Sequence, residues 1–487
     1  MSRFRHALLA PAVIGTTAGT TLVLMSALTS PVLAAVALAG TIAVMVIAAF
    51  PYWGYLLTAL IIPLERIGRF TNDSSMATVS LMRIVGMLTL GALLLHFVAK
   101  RRRVLITWPG VLYAAYFSVG IMTLAHTSDF EFGVRSLSAM LGNLLFFILV
   151  VNIVRTPAQA RAGVLCWLLM TSAIGVFTIY QWHWGDVITE DRFNSTGERS
   201  SDDRFSTVLT DAAEFETLEQ ARRALGTTSH PAVYAINVIL ALPFFAYAYR
   251  TVRGRWWRTA IGGAGLISCY NVALTNTRAA LMTMALVLVL IAVTRLIRLT
   301  KASIVAGAVA AAVALPLIPG AVWERVLDTR NYTLERSETL RARLLYWQEG
   351  GAILADHWLL GIGIGNQTEL PRRLSPRVYM PPNSTVHNEY LQSLLETGLL
   401  GFPVLAAFII VLARQARAGE RHYRASGDEH TALMLRAGRV ALVAVLVYAL
   451  QVDVLHFPLK GWWLAMAIVA ALYERRPAAG EVRHAAA

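Results

Sequence analysis

Apolar runs of about 16 to 22 residues recur along the chain, each near the length at which a helix crosses a bilayer. They predict spans near 8–28, 31–50, 51–64, 84–99, 104–125, 136–153, 163–181, 231–249, 259–275, 279–294, 302–320, 398–413, 437–455 and 457–473. The run at 51–64 is short and the opening block divides in more than one way, so the pattern predicts about 12 to 14 helices. The fold class is an all-α polytopic integral membrane protein.

The polar positions between these runs orient them. Arg3 and Arg5, Lys100 to Arg103, Arg155 and Arg161, and Arg250 to Arg258 fall on alternate ends of successive spans. The alternation continues through Arg295, Arg298 and Lys301, then Arg414 to Arg424, and closes at Arg475 and Arg476. Lys and Arg in short loops are retained on the cytoplasmic side, so the helix count is even and both termini are cytoplasmic. An N-terminal signal peptide is the competing reading of residues 1–35, but Ala34 and Ala35 make a poor cleavage site and another apolar run follows at once.

Two long connections, 182–229 and 321–397, then fall outside the cytoplasm, and long ordered loops are usually functional. The chain divides into N-terminal transmembrane helices at 1–181, a loop at 182–230, central helices at 231–320, a large loop at 321–397, and C-terminal helices with a cytoplasmic tail at 398–487. The first loop is acidic from Asp186 to Glu219 and turns basic at Arg222-Arg223. Residues 210–225 predict a short amphipathic helix, and Ser229 or Thr228 is the expected N-cap of the span that opens with Pro231. In the second loop, Arg341 to Trp347 has helical spacing, and Gly361-Ile-Gly363-Ile-Gly365-Asn366 reads as a tight turn, since no Walker lysine accompanies it.

Composition agrees: 56% of residues are hydrophobic and 15% charged. The formal net charge of +14 is spread over short connections, which explains it as topology and not as a nucleic-acid surface. Cys166 and Cys269 lie inside predicted spans, without metal-ligand spacing.

The chemistry concentrates at Thr385-Val-His387-Asn388-Glu389-Tyr390-Leu391, just ahead of a span. A helix capped by Asn383 or Ser384 and starting near Thr385 would place His387 in its first turn. Backbone N–H groups and the macrodipole disfavour added positive charge there, which favours the neutral imidazole a general base requires. On that helix His387, Leu391, Leu394 and Leu395 share one face, and Glu389 and Gln392 are displaced from it. Gly398 and Gly401 are expected to end or bend it.

Arg278 stands at the mouth between two spans with few other charges near it. Such a boundary charge suggests a partner, with snorkelling to lipid headgroups as the bland reading. Arg223, Arg278 and Arg343 could converge on one anion. Nucleotide sugars and ATP are generally absent outside the cytoplasm, so glycosyl transfer there uses a lipid diphosphate sugar. Arginine's planar fork suits the diphosphate leaving group.

These motifs resemble those of the O-antigen ligases, within the wider group of O-antigen polymerases and protein O-oligosaccharyltransferases. Arg223-Ala-Leu-Gly226-Thr227 is similar to that group's Arg-x-x-Gly-Thr element, Thr277-Arg278 to its Ser/Thr-Arg element, and Arg343-x-x-x-Trp347 with Gly361-Ile-Gly363 to its long-loop element. His387-Asn388-Glu389-Tyr390-Leu391 with Glu396-x-Gly398-x-x-Gly401 is the most specific match. Ala232 after Pro231 departs from the Asn common in the family.

The resemblance implies a GT-C-like inverting glycosyltransferase, multi-pass in a bacterial inner membrane with its active site on the periplasmic face. It would move O-antigen polysaccharide from undecaprenyl diphosphate to lipid A–core oligosaccharide, without metal, ATP or other cofactor. It further implies His387 as general base, diphosphate binding by Arg223, Arg278 and Arg343, and supporting roles for Arg222, Asn388 and Glu389. The partners would be the undecaprenyl diphosphate-linked donor, the lipid A–core acceptor and membrane lipid, with no nucleic acid. A polymerase or protein O-oligosaccharyltransferase would share the donor. A metal-dependent transferase would use Asp129 and Glu131 to hold a cation, against the plainer reading of a solvated turn, and a lipid-linked sugar flippase would draw on Asp453 and His456.

Overall fold

The computed structural model describes residues 30–64, 80–185, 187–189, 207–209, 222–228, 230–298, 338–366, 386–452 and 459–477, with isolated positions between 301 and 323. The expected span at 8–28, most of that at 302–320, and Asp453 and His456 lie outside the described residues.

The elements begin where the sequence supplies caps. Helices α1 (Pro31–Ala49) and α2 (Pro51–Ile61) are divided at Phe50, because Pro51 has no N–H to continue the ladder and restricts the residue before it. Ser80 caps α3 (Leu81–Ala99), Thr107 caps α4 (Trp108–Thr123), Asp129 caps α5 (Phe130–Ile153), and Thr156 with Gln159 forms a capping box on α6 (Pro157–Trp184). Each of these caps precedes the apolar stretch, so α3, α5 and α6 start earlier than hydropathy alone places them. Then follow α7 (Pro231–Thr251), α8 (Arg255–Leu274), α9 (Arg278–Val293), α10 (Glu338–Asp356), α11 (Glu389–Ala425), α12 (Glu429–Tyr448) and α13 (Lys460–Glu474). Among the described residues, 7 helices are long and apolar enough to cross a membrane. The protein is an all-α polytopic membrane protein, with three short strands as its only departure among the described residues.

Helix α7 is the centre of the bundle, packed against α6, α8, α9 and α12 and buried on every side from Pro231 to Ile236 and from Val238 to Ala248. Peripheral helices expose large apolar side chains outward, among them Met87, Val98, Leu169 and Met282, as a lipid-facing surface requires. At the end of the bundle bearing the C-terminus of α7, the buried Glu420 carboxylate accepts hydrogen bonds from Arg424 (2.6 Å) and Arg436 (2.8 Å) and pairs with Arg439. Arg250 binds Glu429 in the same layer.

Helix α11 is two helical segments joined at Gly398, whose φ of 58° and ψ of −161° break the α geometry, as expected of the Gly398–Gly401 element. The N–H groups of Leu399 and Leu400 that the break orphans donate to the carbonyls of Trp358 (2.9 Å) and Leu359 (3.0 Å). A Cβ at Gly398 would strike the Leu359 carbonyl, and one at Gly361 would strike that of Leu395. The Gly361–Gly365 segment is therefore closely packed, against α11 at Gly361 and against Thr127 and Gly133 at Gly363 and Gly365. Gly398→Ala should destabilise the protein by about 1–3 kcal/mol from backbone strain alone, before the collision is counted. A lowered thermal midpoint and reduced monodisperse yield in detergent would register it, and an unchanged midpoint would refute it.

Candidate active site at one end of the bundle

Arg223 is held on extended chain. Residues 222–225 were expected to close an amphipathic helix, but Arg222 and Arg223 form strand β3, pairing antiparallel with Leu209 and Val208 of β2 (Thr207–Leu209), which runs parallel to β1 (Val187–Thr189). Residues 210–221 and the Arg222 side chain lie outside the described residues. Tertiary contact decides the outcome: the Ala224 N–H donates to the Leu274 carbonyl (2.9 Å), stretching the segment across the C-terminus of α8.

From there the Arg223 side chain reaches the corner between α8 and α9. Its Nε donates to the Thr275 carbonyl (3.1 Å) and an Nη to the Thr277 hydroxyl (3.0 Å). Arg278, the next residue, is the first of α9. Two motifs more than fifty positions apart thus place their arginines at one corner.

The chain after Arg223 turns at Gly226, whose φ is 55°. Thr227 donates to the Pro63 carbonyl, and Thr228 to those of Leu225 (2.9 Å) and His230 (3.0 Å). Thr228 is thereby committed away from the helix, and Ser229 lies outside the described residues. The N-cap of α7 is His230, whose Nδ1 accepts the Ala232 N–H (3.1 Å). Sequence reasoning missed this residue; an imidazole immediately before a helix-opening proline was the available signal. Surrounding protein desolvates the ring and lowers its pKa, with the charges of Arg223 and His387 acting in the same direction. The side chain is nonetheless exposed.

His387 stands one position outside the helix expected to contain it. Asn388 is the N-cap of α11, its Oδ1 accepting the N–H groups of Tyr390 (3.1 Å) and Leu391 (3.2 Å). The expected start near Thr385 is therefore corrected: a short Asn side chain takes two orphan donors, and the helix begins after it. Asn383, Ser384 and Thr385 lie outside the described residues. His387 is exposed in the left-handed region with φ 52°, a conformation sparsely used by non-glycine residues.

The neighbours fix that geometry. Trp347 Nε1 on α10 donates to the Val386 carbonyl (3.0 Å), the Tyr346 ring centroid lies 6.4 Å from that of His387, and the Glu389 N–H donates to the Ala449 carbonyl at the end of α12 (2.9 Å). The helical spacing around Arg343 is thus realised in α10. Arg343 and Arg223 both lie within electrostatic reach of Tyr448, whose hydroxyl donates to the Ala232 carbonyl (2.9 Å).

The inner face of α11 is wider than expected: Leu395 is buried with Leu391 packed beside it, and the polar residues expected to be displaced are buried too. Glu389, Gln392 and Glu396 are buried, with Ser393 donating to Glu389 and Gln392 to Glu396, each at 2.8 Å. These mutual bonds make burial of two carboxylates tolerable. Asp129 is committed as the cap of α5 and Glu131 lies 3.6 Å from Arg135, so the acidic turn has local partners.

The starts of α7 and α11, with His230 and His387, meet at the C-terminus of α12, where Arg223 and Arg343 lie within electrostatic reach of Tyr448, and Arg223 extends to the corner at which Arg278 opens α9. Helix N-termini and guanidinium groups both favour anions. The fold and this end of the bundle define a multi-pass membrane protein with a cationic site bearing two imidazoles. Residues 263–406 match the family model described as O-antigen ligase, a similarity that supports a function of the O-antigen ligase or polymerase type in general. No curated protein sequence matches the chain.

Proposed function

We propose that the protein is an O-antigen ligase: an inverting glycosyltransferase of the bacterial inner membrane that moves O-antigen polysaccharide from undecaprenyl diphosphate to lipid A–core oligosaccharide at the periplasmic face. The observation that carries this is the Arg223 side chain bridging to Thr277, beside Arg278 and within electrostatic reach of the His230 imidazole, which His387 also reaches. Arg223, Arg278 and Arg343 bind the diphosphate. His387 accepts the proton of the attacking sugar hydroxyl as its oxygen bonds to the anomeric carbon. The bond from that carbon to the diphosphate oxygen breaks, and undecaprenyl diphosphate departs with the electron pair. Asn388 supports this by capping α11 and setting the imidazole at its threshold. Both chain termini lie on the cytoplasmic side, opposite the reaction.

Guanidinium groups carry the charge of the departing diphosphate, so no divalent ion is required for it. Purified protein in liposomes, given undecaprenyl diphosphate-linked glycan and lipid A–core, should form a glycan-bearing product at a rate unchanged by EDTA. Extension of the donor glycan instead of lipid A–core would make the protein a polymerase, and loss of activity in EDTA with recovery on adding Mg2+ would overturn the metal-independent mechanism.

A further inference from the structure

Nothing in the motifs assigns a role to His230, yet it is the exposed side chain between two buried runs, 224–228 and 231–236. Its position follows from backbone contacts at both ends of the site. The Ala232 carbonyl accepts from Tyr448, and the adjacent Ala449 carbonyl accepts from Glu389, two residues beyond His387. The C-terminus of α12 therefore holds the starts of α7 and α11 side by side. Four residues before Thr227, Arg223 reaches the Arg278 corner.

The cap bond fixes the chemistry of the ring. A backbone N–H can only donate, so Nδ1, which receives the Ala232 N–H, carries a lone pair. The ring proton of the neutral imidazole is then on Nε2, on the side away from the helix backbone. We propose that His230 is a further substrate-binding residue, its Nε2–H donating to an oxygen of the lipid diphosphate that Arg223 and Arg278 hold. The inference rests on the proposed transferase reading of the site. Within the site the two imidazoles divide the work: the one at His387 takes a proton, and the one at His230 donates a hydrogen bond without transferring one. Surrounding protein, Arg223 and His387 all oppose protonation of His230, which keeps its cap bond intact while His387 cycles.

Two conservative variants separate capping from donation. Asparagine reproduces Nδ1 and is among the best N-caps, but has no group at the position of Nε2; glutamine places an amide N–H near Nε2 and caps poorly. In the reconstituted full-length protein, His230→Asn should keep the wild-type thermal midpoint while the KM for undecaprenyl diphosphate-linked glycan rises about 10-fold or more, the loss expected for a hydrogen bond to a charged group. His230→Gln should keep KM within about threefold of wild type, even with a lower midpoint. Inhibition by undecaprenyl diphosphate alone should weaken in His230→Asn by the same factor as KM rises. Wild-type KM in His230→Asn, or loss in both variants that tracks the thermal midpoint, would reduce His230 to a cap and overturn the proposal. Absence of transfer by the wild type to any acceptor would instead defeat the transferase reading itself.

Discussion

Replacing His387 with asparagine is expected to slow glycan transfer by about 10²- to 10⁴-fold, the usual contribution of a positioned general base. Asparagine is the informative replacement because it tolerates the left-handed backbone that His387 adopts at φ 52°. Alanine would combine loss of the imidazole with backbone strain next to the Asn388 cap. The fold should survive, since His387 is exposed and Val386 is held by Trp347 through its carbonyl. Donor KM should change little, which separates proton transfer from binding. Wild-type rate should fall as pH drops through the imidazole range, and the variant's residual rate should lose that limb. A variant that transfers glycan at the wild-type rate, or keeps the same acid limb, would remove His387 from the role of base.

The second large effect concerns the arginine corner. Arg223→Ala and Arg278→Ala should each reduce kcat/KM for the donor by about 10- to 100-fold, the range for a lost charge-assisted hydrogen bond. The two losses should not add. Arg223 bonds the Thr275 carbonyl and the Thr277 hydroxyl, so removing it also loosens the corner that aims Arg278. The double variant should therefore be only slightly worse than Arg223→Ala, with a coupling energy in the range seen for residues of one network. Arg278 sits in the first turn of α9, where a cation opposes the helix dipole by about 0.3–1 kcal/mol. A bound diphosphate reverses that penalty, so undecaprenyl diphosphate should raise the thermal midpoint of the wild type and fail to raise that of Arg278→Ala. Strict additivity, together with an unchanged donor KM, would show that the arginines do not share one anion.

Several features were legible from residue order because their causes are local. Apolar run length shows helix after helix, with Pro51 dividing the first described pair and Gly398 breaking α11. Arg223, Arg278 and His387 stood out as polar groups beside spans, where charge and hydrogen-bonding capacity need a reason. The helix around Arg343 followed from spacing, and the need for a special backbone at Gly398 followed from residue type.

Other features depend on which surfaces meet. Periodicity put Leu391, Leu394 and Leu395 on one face of α11 but could not say that the wider inner face would also take Glu389, Gln392 and Glu396. That choice became tolerable only once Ser393 and Gln392 satisfied the carboxylates. Propensity favoured helix through residue 225, and the Ala224 to Leu274 bond drew that chain into a strand. His230 reads as an ordinary loop residue until the Tyr448 to Ala232 and Glu389 to Ala449 bonds set it beside the start of α11. By itself the sequence determined a multi-helix membrane protein and the side chains available for chemistry, because bilayer length and polarity act on each segment alone. Only the tertiary structure decided which side chains share one end of the bundle, because that depends on hydrogen bonds between segments far apart in the chain.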